Sequence, residues 1–523
     1  MAKLKTVRVI LIVWLLVTSR IILGTPIHGI PILGAPVVIA DKSATTGSFD
    51  FASVKASDDS HLVWSECKVH QAVDNTECAS MTVPLDWDHP HANKNITIAL
   101  ARMPATDPSS RIGALLFNPG GPGASAISSM DTFSPRLNKY FDIVAMDPRG
   151  TGESVEVGPI KRQTHLFKRL PLTDAEYDEI AESNRNTAQA FVDVSGGVSK
   201  YVDTISVARD VEAVRIALSE RQLNFVGFSY GAQVAYTYAE LFPTKFRAIV
   251  LDGVSDRTVH DLEMTRRRYV ALQDAFDRFA AWCDSSFTCR LYGLDSRQTL
   301  HHALDLAGDS ADCLSNYMFE MLHQGWYTGL AEILATVVGK ANWAAITMGW
   351  LVNRFTEPSE RPHWTYDDLD MSSICRLTDA EPSSNHIAVR CLDSSPIRPN
   401  VSDLVALQQF LDTSTSAVHK FGNLAERATA CIGWPFPPRN PPHRLQLPAD
   451  TPPILIVNSL YDIQTPYVGA LNVQSQIPNS VLLTTQREKH CSYDRWGTSK
   501  ATRIIDDYLI AGELPDSGTV VNR

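Results

Sequence analysis

Three separated stretches of this sequence carry the residue types needed for acyl transfer. Gly227-Phe228-Ser229-Tyr230-Gly231 has the G-x-S-x-G pattern of a nucleophile elbow, a sharp turn that exposes a serine between a strand and a helix. Residues 223–226 (LNFV) read as the strand and 232–241 as the helix, stopped before Pro243, while Gly227 and Gly231 leave room where side chains would clash. A serine alone is a weak nucleophile, so it needs a base, a group that orients the base, and donors for the oxyanion. In this topology the partners follow in the order Ser, acid, His. Asp462 ends the apolar run PILIVNSLYD, and His490 follows 28 residues later in the loop REKHCSYD, after the run SVLLTTQ. His490 is therefore expected as the general base and Asp462 as its orienter, with Asp252 at the end of AIVLDG as the rival or as a structural aspartate.

The oxyanion hole needs backbone N–H groups aimed at the developing charge. Tyr230, directly after the serine, is one expected donor. The glycine-rich FNPGGPGAS supplies the other, with Gly121 as the expected donor and Gly120 and Gly123 shaping the loop, because glycine accepts the positive φ that turns amides inward. An aspartate nucleophile, as epoxide hydrolysis or dehalogenation would need, is absent from the elbow. Retention of both serine and histidine argues against a binding module that has lost catalysis.

These residues must be positioned by a scaffold, and its elements are visible. The runs ITIALARM, ALLFN, FDIVAM, LNFVGF, FRAIVLD, PILIVNS and SVLLTT alternate with helical patterns, and most end in Gly, Asp or Asn. Buried parallel strands have this character, so a mostly parallel central sheet with helices on both faces is expected. Two regions break the rhythm. Residues 158–205 hold charged helical material, and residues 256–447, helical and rich in Trp, Tyr and Met, read as a cap inserted in a core of 61–255 and 448–515.

Composition bounds the functional class. The 523 residues are 44% hydrophobic and 20% charged, enough apolar material for a sizeable core, and the formal net charge is −11. No basic run with interleaved aromatics suggests a nucleic-acid surface. Lys3, Lys5 and Arg8 precede an apolar run at 9–17, the layout of a secretory signal within 1–24, with a retained signal anchor as the alternative; 25–60 reads as a flexible lead-in. The nine cysteines fit an oxidising compartment, secreted or within the secretory pathway or vacuole. Cys67 with Cys78, and Cys283 with Cys289, are close enough to close short loops, and the odd count leaves at least one thiol over. The sequons at Asn95 and Asn400 would be glycosylated on that route. No ligand spacing suggests zinc, and the chemistry calls for no cofactor.

Taken together, NPGGPG at 118–123, DPRGTGES at 147–154, GFSYG, LDGV at 251–254 and DIQTP leading to His490 resemble the tripeptidyl-aminopeptidase and proline-iminopeptidase group of α/β-hydrolases. ECASMTVPLDW and the tail YLIAGELP are similar to that group too, so the likeness runs from about residue 64 to 515. The resemblance implies an α/β-hydrolase fold, a Ser229–His490–Asp462 triad, structural support from Arg149 and its neighbours, and an aminopeptidase. Carboxylester or lactone hydrolysis of a small biosynthetic intermediate is the alternative. Lys489 stands where the group often has Gly, and WGTSKATR lacks a second cysteine to pair with Cys491. An exopeptidase must hold a free amine, for which Glu320, Asp367, Asp368 and Asp370 are candidates beside a solvated-loop reading. Trp326, Tyr327, Trp343 and Trp350 either line an apolar site or pack the cap helices.

Overall fold

In the computed structural model, seven strands come from the apolar runs singled out by the sequence. The described residues are 62–67, 75–92, 94–155, 160, 169–339, 385–419, 421 and 424–522. The expected signal and lead-in, and Trp343, Trp350, Asp367, Asp368 and Asp370, lie outside them. Among the described residues ten strands form one sheet: β1 (Ser65–Glu66), β2 (Glu77–Pro84), β3 (Asn95–Met103), β4 (Gly113–Asn118), β5 (Phe141–Met146), β6 (Leu223–Phe228), β7 (Phe246–Asp252), β8 (Ile454–Ser459), β9 (Ser480–Thr485) and β10 (Val520–Val521). Their order is β1-β2-β3-β5-β4-β6-β7-β8-β9-β10. From β5 to β10 every pairing is parallel, while β1, β2 and β3 join antiparallel. Strands β4, β5, β6 and β8 are buried at every position, which is why they read as continuous apolar runs rather than alternating ones.

Helices cover both faces. Ala501, Ile505, Tyr508 and Leu509 of the helix Lys500–Ala511 pack with Leu137 of Pro135–Tyr140 on one side. On the other, the helix Tyr230–Leu241 packs on the sheet and Thr204–Ala217 packs against that helix. Strand β4 lies between β5 and β6, so the chain direction reverses about it, and ligands in such sheets bind outside the carboxyl ends of the strands at the reversal. The turns after β4 and β6 carry NPGGPG and Ser229.

Between β7 and β8 the chain inserts a helical segment, including Asp261–Ser285, Ala311–Gln324, Asn385–Leu392 and Ala425–Thr429. It has its own apolar cluster around Phe276, Phe279, Leu300, Met318 and Phe421. The helix Asp174–Ser195, which sequence places with the core, contributes Ile180 and Ala181 to that cluster. Tyr327 packs edge-on against Phe279, and Trp326 is 40% exposed; neither borders the cavity beside Ser229. Glu320, in the same segment, bonds His323 Nδ1 at 3.3 Å.

Disulfides join Cys67 to Cys78 and Cys283 to Cys289, as the short loops suggested, and Cys391 to Cys431, which spacing left open. Cys491 is a free thiol. Asn95 and Asn400 are both exposed, and Asn400 caps the helix Val401–Ser414 by accepting from Asp403 N at 2.9 Å. Arg149 is fully enclosed: it forms two 2.7 Å bonds with Asp210 and also donates to the carbonyls of Pro84, Leu85 and Tyr201. It thereby ties the end of β2 to the helix Thr204–Ala217, the structural role the resemblance implied. No helix among the described residues is long and apolar enough to cross a membrane.

Candidate active site

Ser229 stands between β6 and the helix Tyr230–Leu241 with φ +57° and ψ −117°, a backbone conformation that L-residues rarely adopt. The neighbouring glycines make that turn feasible. A Cβ on Gly227 would lie 2.2 Å from the carbonyl oxygen of Gly231, and one on Gly231 would lie 2.2 Å from that of Asn118. The loop after β4 is equally close: a Cβ on Gly120 would meet Phe228 O at 2.6 Å and Ser229 Cβ at 3.0 Å. Asn118 holds this loop by accepting from Gly120 N at 2.9 Å. Gly121 has φ +104° and borders the same cavity as Ser229 and Tyr230. Tyr230 opens its helix, so its amide has no intrahelical acceptor.

Asp147 secures the far side of the loop. Its buried carboxylate takes hydrogen bonds from Ser125 Oγ, Ile127 N and Glu153 N, and a Cβ on Gly152 would come within 2.1 Å of it. The second glycine of DPRGTGES therefore provides space for this anchor.

On the other side of the cavity, His490 Nδ1 donates to Asp462 Oδ2 at 2.7 Å. Asp462 also accepts from Gln464 N at 2.8 Å, Thr465 N at 2.9 Å and Thr465 Oγ1 at 2.8 Å. Burial works to raise the Asp462 pKa, but the charge on His490 and these hydrogen bonds outweigh it and hold the carboxyl below its ordinary value. Burial likewise works to lower His490, and the Asp462 carboxylate outweighs it, lifting the imidazole above its ordinary range.

Asp252, the rival orienter, does not bond His490. Its carboxylate accepts from Ser492 N at 2.9 and 2.8 Å and from Tyr493 N at 2.8 Å, so it anchors the backbone after His490. Burial pushes its pKa up to about 6 against those bonds. Gly253 follows with φ +69°; a Cβ there would lie 2.8 Å from Cys491 Sγ and 3.0 Å from His490 Cε1.

The cavity between these elements measures about 280 Å³. Ser229, His490, Tyr230 and Gly121 border it from the core, and Arg257, Arg390, Asp393 and Arg427 from the segment between β7 and β8. Sequence reasoning did not single out these last four, or Thr465. Thr465 carried a signal, since Asp followed three residues later by Thr is a local side-chain-to-backbone turn pattern. The arginines and Asp393 carried none, being spread over 170 positions of helical sequence.

The turn, the paired imidazole and the sheet reversal define a serine hydrolase of the α/β class. Two family models match the chain, one described as alpha/beta hydrolase fold over residues 113–318 and one as TAP-like protein over 417–521. The chain is an α/β-hydrolase with a TAP-like C-terminal region, and it is an enzyme. It is 28% identical over 459 residues to Serine protease Hip1 of Mycobacterium tuberculosis, covering 84% of this chain and 86% of that protein. It is 29% identical over 518 residues to Carboxylesterase B of the same species, covering 94% and 95%. To Tripeptidyl aminopeptidase of Streptomyces lividans it is 25% identical over 489 residues, covering 86% and 84%.

Gly253→Ala adds a methyl at a positive φ and pushes on the His490 ring. Because misplacement by about 1 Å can cost roughly a hundredfold, kcat should fall about 10- to 100-fold with little change in far-UV circular dichroism. Activity within twofold of wild type would show that the ring does not depend on this gap.

Proposed function

We propose that the protein hydrolyses an acyl bond through an acyl-enzyme on Ser229, with His490 as general base and Asp462 as its orienter. The observation that carries this reading is the 2.7 Å Asp462–His490 hydrogen bond beside a cavity shared with Ser229. Ser229 Oγ attacks the acyl carbon and passes its proton to His490, while Asp462 stabilises the imidazolium. The Tyr230 and Gly121 amides receive the oxyanion. The bond to the leaving group breaks, and His490 returns the proton to that group. Water then attacks the acyl-enzyme, giving its proton to His490 and releasing the acid, and Ser229 regains its hydroxyl proton.

The acyl bond we favour is a peptide bond near a free N-terminus, an aminopeptidase reading supported by the likeness to Tripeptidyl aminopeptidase and Serine protease Hip1. A specific observation favours carboxylester hydrolysis as the second reading. Asp393, the carboxylate bordering the cavity among the described residues, already accepts from Thr204 N at 3.0 Å, Thr204 Oγ1 at 2.5 Å and Gln233 Nε2 at 2.8 Å, which leaves it a poor partner for an ammonium. Three disulfides support export to an oxidising compartment. With it we propose a signal within 1–24, glycosylation at Asn95 and Asn400, and a cap at 256–447 on a core of 61–255 and 448–515.

Two measurements test the reading. A kcat/KM panel sets aminoacyl and peptidyl arylamides, with free and blocked N-termini, against simple acyl esters; preference for the free amine supports the aminopeptidase, and indifference to it sinks that part. The acid limb of the kcat/KM profile reports the His490 base, which acts only when neutral, so activity should fall as pH drops through a pKa above the ordinary imidazole range. Asp462→Asn removes the charge that raises it and leaves burial, so the limb should move to lower pH while kcat falls about 10⁴-fold. An unmoved limb would contradict the pairing.

A further inference from the structure

Among the described residues around the cavity, the Arg427 guanidinium lacks a counter-charge of its own. Arg257 is ion-paired with Asp261 at 3.0 Å and donates to Asp393 O at 2.7 Å. Arg390 donates to Arg427 O at 2.9 Å, and the Cys391–Cys431 disulfide fastens the two segments side by side. Among the described residues nothing bonds or ion-pairs with the Arg427 guanidinium, and its Nε is buried without a partner, as are the Nε atoms of Arg257 and Arg268. Arg268 stands just behind, bonded to Gln464, which borders the cavity.

Three described carboxylates near the cavity are already committed. Asp261 pairs with Arg257, Asp462 with His490, and Asp393 accepts from Thr204 and Gln233. Burial, joined by the like charges of Arg268, Arg390 and Arg257, works against the charged form of Arg427. A guanidinium nevertheless stays protonated in proteins, so the mismatch is held as unfavourable buried charge rather than released by titration. Burying an unpaired charge is costly, and natural sites retain such a group where a ligand supplies the counter-charge. Its planar fork of donors suits two carboxylate oxygens at once.

We propose that this cap face, centred on Arg427 with Arg257 and Arg390 beside it, is an anion subsite, and that the enzyme's substrates carry a carboxylate held there while Ser229 attacks the acyl bond. The proposal rests on the Ser229 chemistry above and names the substrate class of the same cavity. It is compatible with peptides, which bring side-chain or C-terminal carboxylates, and with esters of dicarboxylic acids.

The test uses isosteric pairs that differ only in carboxylate against carboxamide. One arm places the group on the acyl side, as 4-nitrophenyl 7-carboxyheptanoate and its 7-carbamoyl counterpart. The other places it on the leaving group, as butyrate esters of 3-carboxy-4-nitrophenol and 3-carbamoyl-4-nitrophenol. Each rate is normalised to hydroxide-catalysed hydrolysis of the same ester. The carboxylate member should be preferred at least about tenfold in kcat/KM in one arm, the scale of a charge-assisted hydrogen-bonded pair. That ratio should collapse toward one in Arg427→Gln and be partly kept in Arg427→Lys, which retains the charge without the fork. Turnover of both members at equal kcat/KM in both arms overturns the subsite while the Ser229 chemistry stands. No turnover of any member overturns the Ser229 reading, and the subsite with it. The wild-type ratios decide the question even if both variants fail to fold.

Discussion

The site depends on one strained residue held in place by close backbone packing. Ser229 keeps φ +57° and ψ −117°, a conformation that costs on the order of 1–3 kcal/mol and persists only where the surroundings determine it. They do so at three points where no side chain fits: Gly227 against Gly231, Gly231 against Asn118, and Gly120 against Phe228. Because Asn118 ends β4 and Phe228 ends β6, the neighbouring strands that set the sheet reversal also set the turn. The loop expected to receive the oxyanion is thus packed on the serine peptide by the same contacts that hold the serine exposed.

Two aspartates at the ends of adjacent strands divide the support of His490. Asp252, closing β7, binds the backbone amides of Ser492 and Tyr493, while Asp462, in the turn after β8, binds the ring. The first sets where the loop runs and the second which way the imidazole points. The oxygens of Asp252 face the amides after His490, whereas Oδ2 of Asp462 faces the ring, and chain position alone does not distinguish the two.

The core was legible because its strands are buried on both faces and so appear as unbroken apolar runs; β4, β5, β6 and β8 were visible for that reason. Strands β1 and β10, two residues each, leave no periodic trace. The elbow, the GGPG loop, Asp462 and His490 were legible because each sits at a strand end, where the local turn demands particular residues. The cap face was not. Arg257, the pair Arg390 and Asp393, and Arg427 meet only through the packing of three segments far apart in sequence, and an arginine reads the same whether it faces solvent or a cavity. The Cys391–Cys431 bond, which brings two of these segments together, could not be deduced from spacing.

On the proposed reading, reaction type and substrate choice are separated: the strand ends carry the proposed acyl-transfer groups, and the segment between β7 and β8 carries charges that border the same cavity. The central claim is the activated serine, and covalent labelling tests it most directly: treat the intact protein with a fluorophosphonate and map the adduct by peptide mass. The account predicts one adduct per chain, on the peptide bearing Ser229, lost in Ser229→Ala and slowed by several orders of magnitude in His490→Ala. An unlabelled wild-type protein, or an adduct on another residue, would contradict it.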